Sequence, residues 1–257
     1  VIAGPETLEP YRRGHGTAAT MQALLRQQYD TWPLLRKNYD GLRQVKTRSL
    51  TIDGCEFHVQ WNPGRILSSS AKVDERSISE RPCFLCEHRL PPEQRGLAFG
   101  DSYLILCNPF PIFPEHFTIP HREHRPQRIA GAFGSMLELS RAVGETYWVF
   151  YNGPKCGASA PDHLHFQAGS AEFLPLTREY GGILAGSGAV VVNAPDVRVT
   201  AVSRGYLRSF IALESDRPAG LERAFAGILE VFASLQPGEE EPLVNILSLH
   251  AGGKWRV

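Results

Sequence analysis

The chain has 257 residues, 42% apolar and 21% charged, so it can bury a proper core and is not a disordered polymer. Lysine plus arginine and aspartate plus glutamate balance at 27 each, which leaves no basic excess for nucleic acid or a membrane surface, although a local phosphate pocket would not show in the net value. The longest apolar runs, such as Tyr103–Cys107, have strand length and are too short to cross a bilayer.

Val1-Ile2-Ala3-Gly4-Pro5 carries neither the charged start nor the apolar stretch of a signal peptide. Residues 17–48 read as helical, with Met21, Leu24, Leu25 and Gln28 on one face. Trp32-Pro33 breaks the run before a second segment at Leu34–Leu42. Leu50–Ile52 and Cys55–Trp61 flank Asp53-Gly54 and read as a β-hairpin. Ser68 to Arg81 reads as a surface loop. Tyr103–Cys107 and His116–Ile119 read as strands, Pro126 to Gly144 as a helix, and Tyr147–Tyr151 as an aromatic, β-branched strand. His163–Gln167 alternates with period two and reads as a further strand. Beyond it, strands are expected at Ala189–Val192, Val197–Val202, Tyr206–Leu213 and Leu243–Leu249, with a helix at Leu221–Leu235. Trp255-Arg256-Val257 reads as the start of a strand after a Gly-Gly turn.

Strand, strand, helix, strand, strand occurs in 103–167 and more loosely in 197–249. The expected fold is therefore α+β with antiparallel sheet and a duplicated unit whose second copy is degenerate. The organisation read from this is an N-terminal helical segment at 1–48, a catalytic half at 49–170 and a degenerate half at 171–257. Continuation beyond Val257 is part of that expectation.

In a strand, residues two apart share a face, so His163, His165 and Gln167 are expected to project together while Leu164 and Phe166 face the core. The preceding Asn152–Asp162 loop, rich in Gly, Ala, Ser and Pro, offers backbone N–H groups to oxyanions. The competing reading is an exposed strand face with two ordinary histidines. The cysteines number five, and Cys83-x-x-Cys86 has the spacing of two ligands on one zinc. An odd count with one close pair suits reduced thiols and a metal site, hence the cytoplasm, better than a disulfide framework. Two histidines would complete the site. Asn108–Pro114 reads as a buried loop beside the site. Its aromatics, or Phe57, Trp61 and Phe84, are candidates for packing against the ring of a ligand.

The run Asn152-Gly-Pro-Lys-Cys-Gly-Ala-Ser-Ala-Pro-Asp-His-Leu-His-Phe-Gln167 resembles the active-site segment of the histidine-triad superfamily. It is most similar to the branch containing galactose-1-phosphate uridylyltransferase, diadenosine tetraphosphate phosphorylase and GDP-hexose phosphorylase. That branch has His-x-His-x-Gln and an Asn thirteen residues before the second His, as Asn152 stands before His165. Pro114–Pro120 followed by His124 resembles the superfamily's strand-then-histidine pattern, and Asn62-Pro63-Gly64-Arg65 is similar to a Ser-Pro-His-Arg segment. Arg-Pro-Cys-Phe-Leu-Cys and the Asn152 run also resemble a bacterial family within the branch.

The resemblance implies a histidine-triad-like sheet and a nucleotidyltransferase or phosphorylase working through a covalent nucleotidyl-histidine. The donor would be a nucleotide sugar or dinucleoside polyphosphate, and the acceptor phosphate or a sugar phosphate. His165 would be the nucleophile, Gln167 a phosphoryl hydrogen-bonding group in place of the hydrolases' third His, and His163 their partner. Asn152, Ser159 and Arg65 would bind phosphate oxygens. Lys155 would add charge, against its ordinary reading as a solvated loop lysine. A structural zinc would sit on Cys83, Cys86, His124 and His163, with His121 the competing ligand to His124. Relatives of this kind form homodimers, and hydrolysis at the same site or zinc-stabilised nucleotide binding without catalysis are the alternative activities.

Overall fold

A computed structural model describes residues 1–62 and 75–257. Near the N-terminus lie α1 (Pro5–Leu8), α2 (Gly16–Thr31) and α3 (Pro33–Gly41). Trp32 separates the last two because a residue before proline is pushed out of helical geometry, while Pro33, lacking an N–H, sits well at the first helical position. The hairpin follows as β1 (Lys46–Ile52) and β2 (Cys55–Trp61). Asp53 and Gly54 turn it with positive φ, 51° and 78°, as the short hairpin turn requires.

The remaining strands form one ten-stranded sheet, antiparallel at every pairing. They are β3 (Gly96–Phe99), β4 (Tyr103–Cys107), β5 (His116–Pro120), β6 (Tyr147–Asn152), β7 (His165–Ser170), β8 (Gly188–Ala194), β9 (Val197–Val202), β10 (Phe210–Ser215), β11 (Asn245–Ala251) and β12 (Lys254–Arg256). The spatial order is β3-β4-β5-β7-β6-β11-β12-β10-β9-β8. Each half, read from its outer edge inward, runs first, second, third, fifth, fourth. The halves meet where β6 pairs with β11, Asn152 opposite Asn245.

The helices between third and fourth strands are α5 (Phe133–Val143) and α7 (Pro218–Leu235), after a short α4 (Glu75–Glu80) and a helix α6 (Leu176–Ser187). Phe133 of α5 stacks on Phe225 of α7 at 3.9 Å between centroids. Helices α2 and α5 cover one face of the sheet, where Tyr103, Ile105, Phe117, Ile119, Tyr147, Val149, Phe166 and Trp255 join a single core. Burying each such side chain is worth about 1.5–3 kcal/mol, which fixes which face of every strand looks inward.

Several boundaries differ from the sequence reading. Pro126–Ala132 is not helical, because its backbone is held elsewhere: Gln127 N–H bonds to Pro161 O and Ile129 N–H to Glu241. Gly131 then turns the chain with φ 77°. Within the expected 68–81 loop, Glu75–Glu80 forms a helical turn and a half, with Arg76 and Glu80 paired at i,i+4. The third strand of the second half starts at Phe210, not Tyr206, and α6 was not foreseen in its Gly-rich stretch. Among the described residues, no helix is long and apolar enough to cross a membrane.

Candidate active site and metal centre

Strand β7 begins at His165, two residues after the start that alternation gave it. This changes the geometry. His163 lies before the strand, its ring turned into the cysteine pair, and does not join His165 and Gln167 on the cavity wall. The period-two argument fails there because regular pairing ends: His121 N–H still bonds to Leu164 O in the β5–β7 register, but Leu164 N–H turns to Arg125 O.

His165 is held from three sides. Its backbone N–H donates to Gln127 Oε1 at 2.7 Å, and its C=O accepts from Gln127 Nε2 at 3.1 Å. The same Nε2 donates to Asn152 O at 2.9 Å, so one buried amide clamps β6 to β7. The imidazole Nδ1 meets His163 O at 2.8 Å. A carbonyl only accepts, so Nδ1 carries the proton and Nε2 keeps its lone pair. Burial pushes the imidazole pKa down to about 4, with the His163 carbonyl opposing the shift, so the ring is neutral at ordinary pH.

Both His165 and Gln167 line a cavity of about 340 Å³. Its polar end adds Ser159 and Thr118, and its apolar walls include Trp32, Phe84, Leu85, Pro109 and Phe110. The Pro-rich segment and Phe84 therefore border the cavity. Phe57 and Trp61 do not; their rings lie under Arg208 and Lys46. Asn152 accepts from Gln167 Nε2 at 3.1 Å through Oδ1. The loop that follows turns back at Gly153, where a Cβ would come within 2.7 Å of Val244 O. Lys155 is exposed and pairs with Glu239 at 2.6 Å, away from the cavity wall. Arg65 lies outside the described residues.

Cys83, Cys86, His124 and His163 bring four ligand atoms within 4.8 Å of one another. Cys83 Sγ is 3.2 Å from His163 Nδ1, and Cys86 Sγ is 3.3 Å from His124 Nδ1 and 3.7 Å from His163 Nδ1. Ligands on a tetrahedral zinc are separated by roughly 3.6 Å, so the set has the size of such a site. His163 Nε2 donates to His121 O at 2.7 Å, which leaves Nδ1 bare toward the sulfurs. Burial, then the adjacent Cys83, push the Cys86 thiol up to about 11, a cost that a divalent cation would remove. His121, the competing candidate, instead uses Nδ1 to accept from Glu123 N–H.

Four contributors escape sequence reading. Gln127, in a segment expected to be helical, is the clamp described above. His116 donates toward Gln167 from β5 at 3.0 Å. Asn245 lies across the junction from Asn152. Arg81 reaches Ser159 O and Asp162 and covers Phe84. Of the four, only Asn245, between Val244 and Ile246, gives the local signal of a polar residue among apolar ones.

The fold is shared with yeast Ap4A phosphorylase Apa2, with TM-score 0.50 and 15% identity over 90% of this chain and 79% of that one. The AMP complex of the same yeast enzyme aligns at 0.47 and 17% identity, covering 91% and 78%. A DUF4931 family protein from Bacillus cereus aligns at 0.41 and 16%, covering 63% and 82%. Among curated proteins none matches the chain. Residues 24–170 match the family described as Domain of unknown function (DUF4922), and since they span more than half the chain, it belongs to that family.

Proposed function

We propose that the protein transfers a nucleoside monophosphate through His165, acting as a nucleotidyltransferase or phosphorylase on a dinucleoside polyphosphate or nucleotide sugar. The observation that carries this is the pose of His165: neutral, tautomer set by a backbone carbonyl, and bordering a cavity beside an amide. In the first displacement Nε2 would attack the α-phosphorus, forming a P–N bond as the P–O bond to the leaving phosphorylated group breaks. In the second, an oxygen of phosphate or a sugar phosphate would attack the same phosphorus and release the imidazole. Gln167 and Ser159 would hold the transferred group's oxygens, with Asn152 behind Gln167. Such fixed dipoles stabilise developing charge strongly in a water-poor cavity. The apolar walls suit a base or sugar ring. Arg65 remains a candidate phosphate contact from its motif alone. The fold in common with an Ap4A phosphorylase supports the dinucleoside polyphosphate over other donors.

Cys83, Cys86, His124 and His163 would hold a zinc ion. When bound it would supply a closed, structural crosslink that pins the residue whose carbonyl orients His165. Product analysis tests the reading. With added phosphate, the nucleotide should appear as a nucleoside diphosphate; nucleoside monophosphate alone, at a rate indifferent to phosphate, would replace transfer by hydrolysis.

A further inference from the structure

Resting on that reading of His165 and Gln167, we propose that His116 and Asn245 are positioning residues which set the direction of the Gln167 amide, so that a donor and not an acceptor faces the transferred phosphoryl group. The directions follow from two backbone N–H groups at opposite ends of one hydrogen-bonded chain. At one end Gly153 N–H, shared with Val244 O at 3.1 Å, donates to Asn245 Oδ1 at 3.3 Å. A backbone N–H cannot accept, so that oxygen is fixed as an acceptor. Asn152 Nδ2 donates to the same oxygen at 3.3 Å, which turns Asn152 Oδ1 toward Gln167. Gln167 Nε2 donates to it at 3.1 Å, leaving Gln167 Oε1 against His116 Nε2 at 3.0 Å. That nitrogen must carry a proton.

The other end requires the same. Ile112 N–H donates to His116 Nδ1 at 3.3 Å, so the neutral ring is protonated at Nε2. His116 is 1% exposed, with Phe113 edge-on at 5.2 Å and Phe150 stacked at 6.2 Å, and cannot turn over without displacing both. Flipping Gln167 alone would set its oxygen against Asn152 Oδ1 and its NH₂ against the His116 N–H. Both contacts are repulsive, and buried groups left without partners are costly.

The chemical consequence concerns the acceptor. Of the two hydrogens on Gln167 Nε2, one goes to Asn152 and one remains for a phosphoryl oxygen. The carbonyl end, which could accept a hydrogen bond from water and orient its attack, is occupied by His116. The relay thus disfavours hydrolysis of the P–N bond, and Asn245 ties this property of the first half to the second half of the sheet.

The test uses His116→Leu, His116→Gln, Asn245→Leu and Asn245→Asp in the full chain. Glutamine can return a donor to the place of Nε2, and aspartate can accept from both Gly153 and Asn152. The two leucine variants are expected to lose about tenfold in kcat, the scale for loosening one oriented donor, with KM for the nucleotide donor nearly unchanged. They should also divert several-fold more nucleotide to water at fixed phosphate. The Gln and Asp variants should recover most of both. Equal behaviour of His116→Leu and His116→Gln, or an unaltered partition to water, would overturn the proposal. Nitrogen-15 NMR of ligand-free wild type separates this from the reaction itself. A ring protonated at Nδ1 in an enzyme that transfers normally refutes the relay. Protonation at Nε2 in a protein with no transfer at all refutes the reaction assigned to the site, and with it the relay's role, while upholding the hydrogen-bond directions.

Discussion

Strands β7 and β12 hold the same place, fourth from the outer edge, in the two five-stranded halves. Both turn one aromatic residue, Phe166 or Trp255, into the common core. Beside the aromatic, β7 carries His165 and Gln167, whereas β12 carries Lys254 and Arg256. Arg256 lies over the Tyr180 ring at 5.4 Å, and Lys254 is exposed. The second half contains one histidine, His250, and no cysteine. The difference teaches that the sheet is a frame whose core positions tolerate one pattern on both sides. The chemistry proposed for the first half depends on a polar face, a buried clamp and a loop that exist on one side only. The second half still serves the first: Glu241 accepts from Tyr151 OH at 2.5 Å and Ile129 N–H at 2.5 Å, and so braces the turn that carries Gln127.

Four variants would break or sharpen this contrast. His165→Ala should lower turnover by roughly a thousandfold or more while the fold persists, as loss of a covalent nucleophile does; steady-state kinetics beside far-ultraviolet circular dichroism would check it. Replacing Cys83 and Cys86 together by serine should remove one equivalent of bound metal per chain, read by elemental analysis, and depress the melting temperature, because metal binding energy is folding energy. Gln127→Leu leaves the buried His165 N–H without an acceptor, so stability to urea should fall by about 1–3 kcal/mol. Arg256→Ala removes only a ring contact in the second half, worth about 0.5–1 kcal/mol. Turnover should stay at the wild-type level; a loss comparable to that of His165→Ala would mean the second half also takes part in the chemistry.

Local pattern made much of the first half legible. Tyr103–Cys107, the Asp53-Gly54 hairpin and the aromatic strand at Tyr147 are governed by propensity and burial over a few residues, and they stand where periodicity puts them. The repeated strand, strand, helix, strand, strand order was likewise readable, though the meeting of β6 with β11 was not, since pairing partners distant in sequence leave no local trace. The site divided in the same way. His165 and Gln167 share a face because the strand is regular there, and the Cys83-x-x-Cys86 spacing pointed to the pair that joins His124 and His163 in a cluster able to hold a metal ion. His163 left the expected face because Leu164 N–H bonds to Arg125 O, which takes the chain out of regular strand pairing just before β7 starts. Gln127, His116 and Asn245 act through partners 38, 51 and 93 residues away, a distance no window of sequence spans.

The most direct measurement is intact mass by rapid quench after mixing the enzyme with a dinucleoside polyphosphate or a nucleotide sugar in the absence of acceptor. Wild type should gain the mass of one nucleoside monophosphate, localised by peptide mapping to His165 and discharged on adding phosphate, and His165→Ala should gain nothing. Turnover by wild type with no such adduct at any time, or the same adduct on His165→Ala, would contradict transfer through this imidazole.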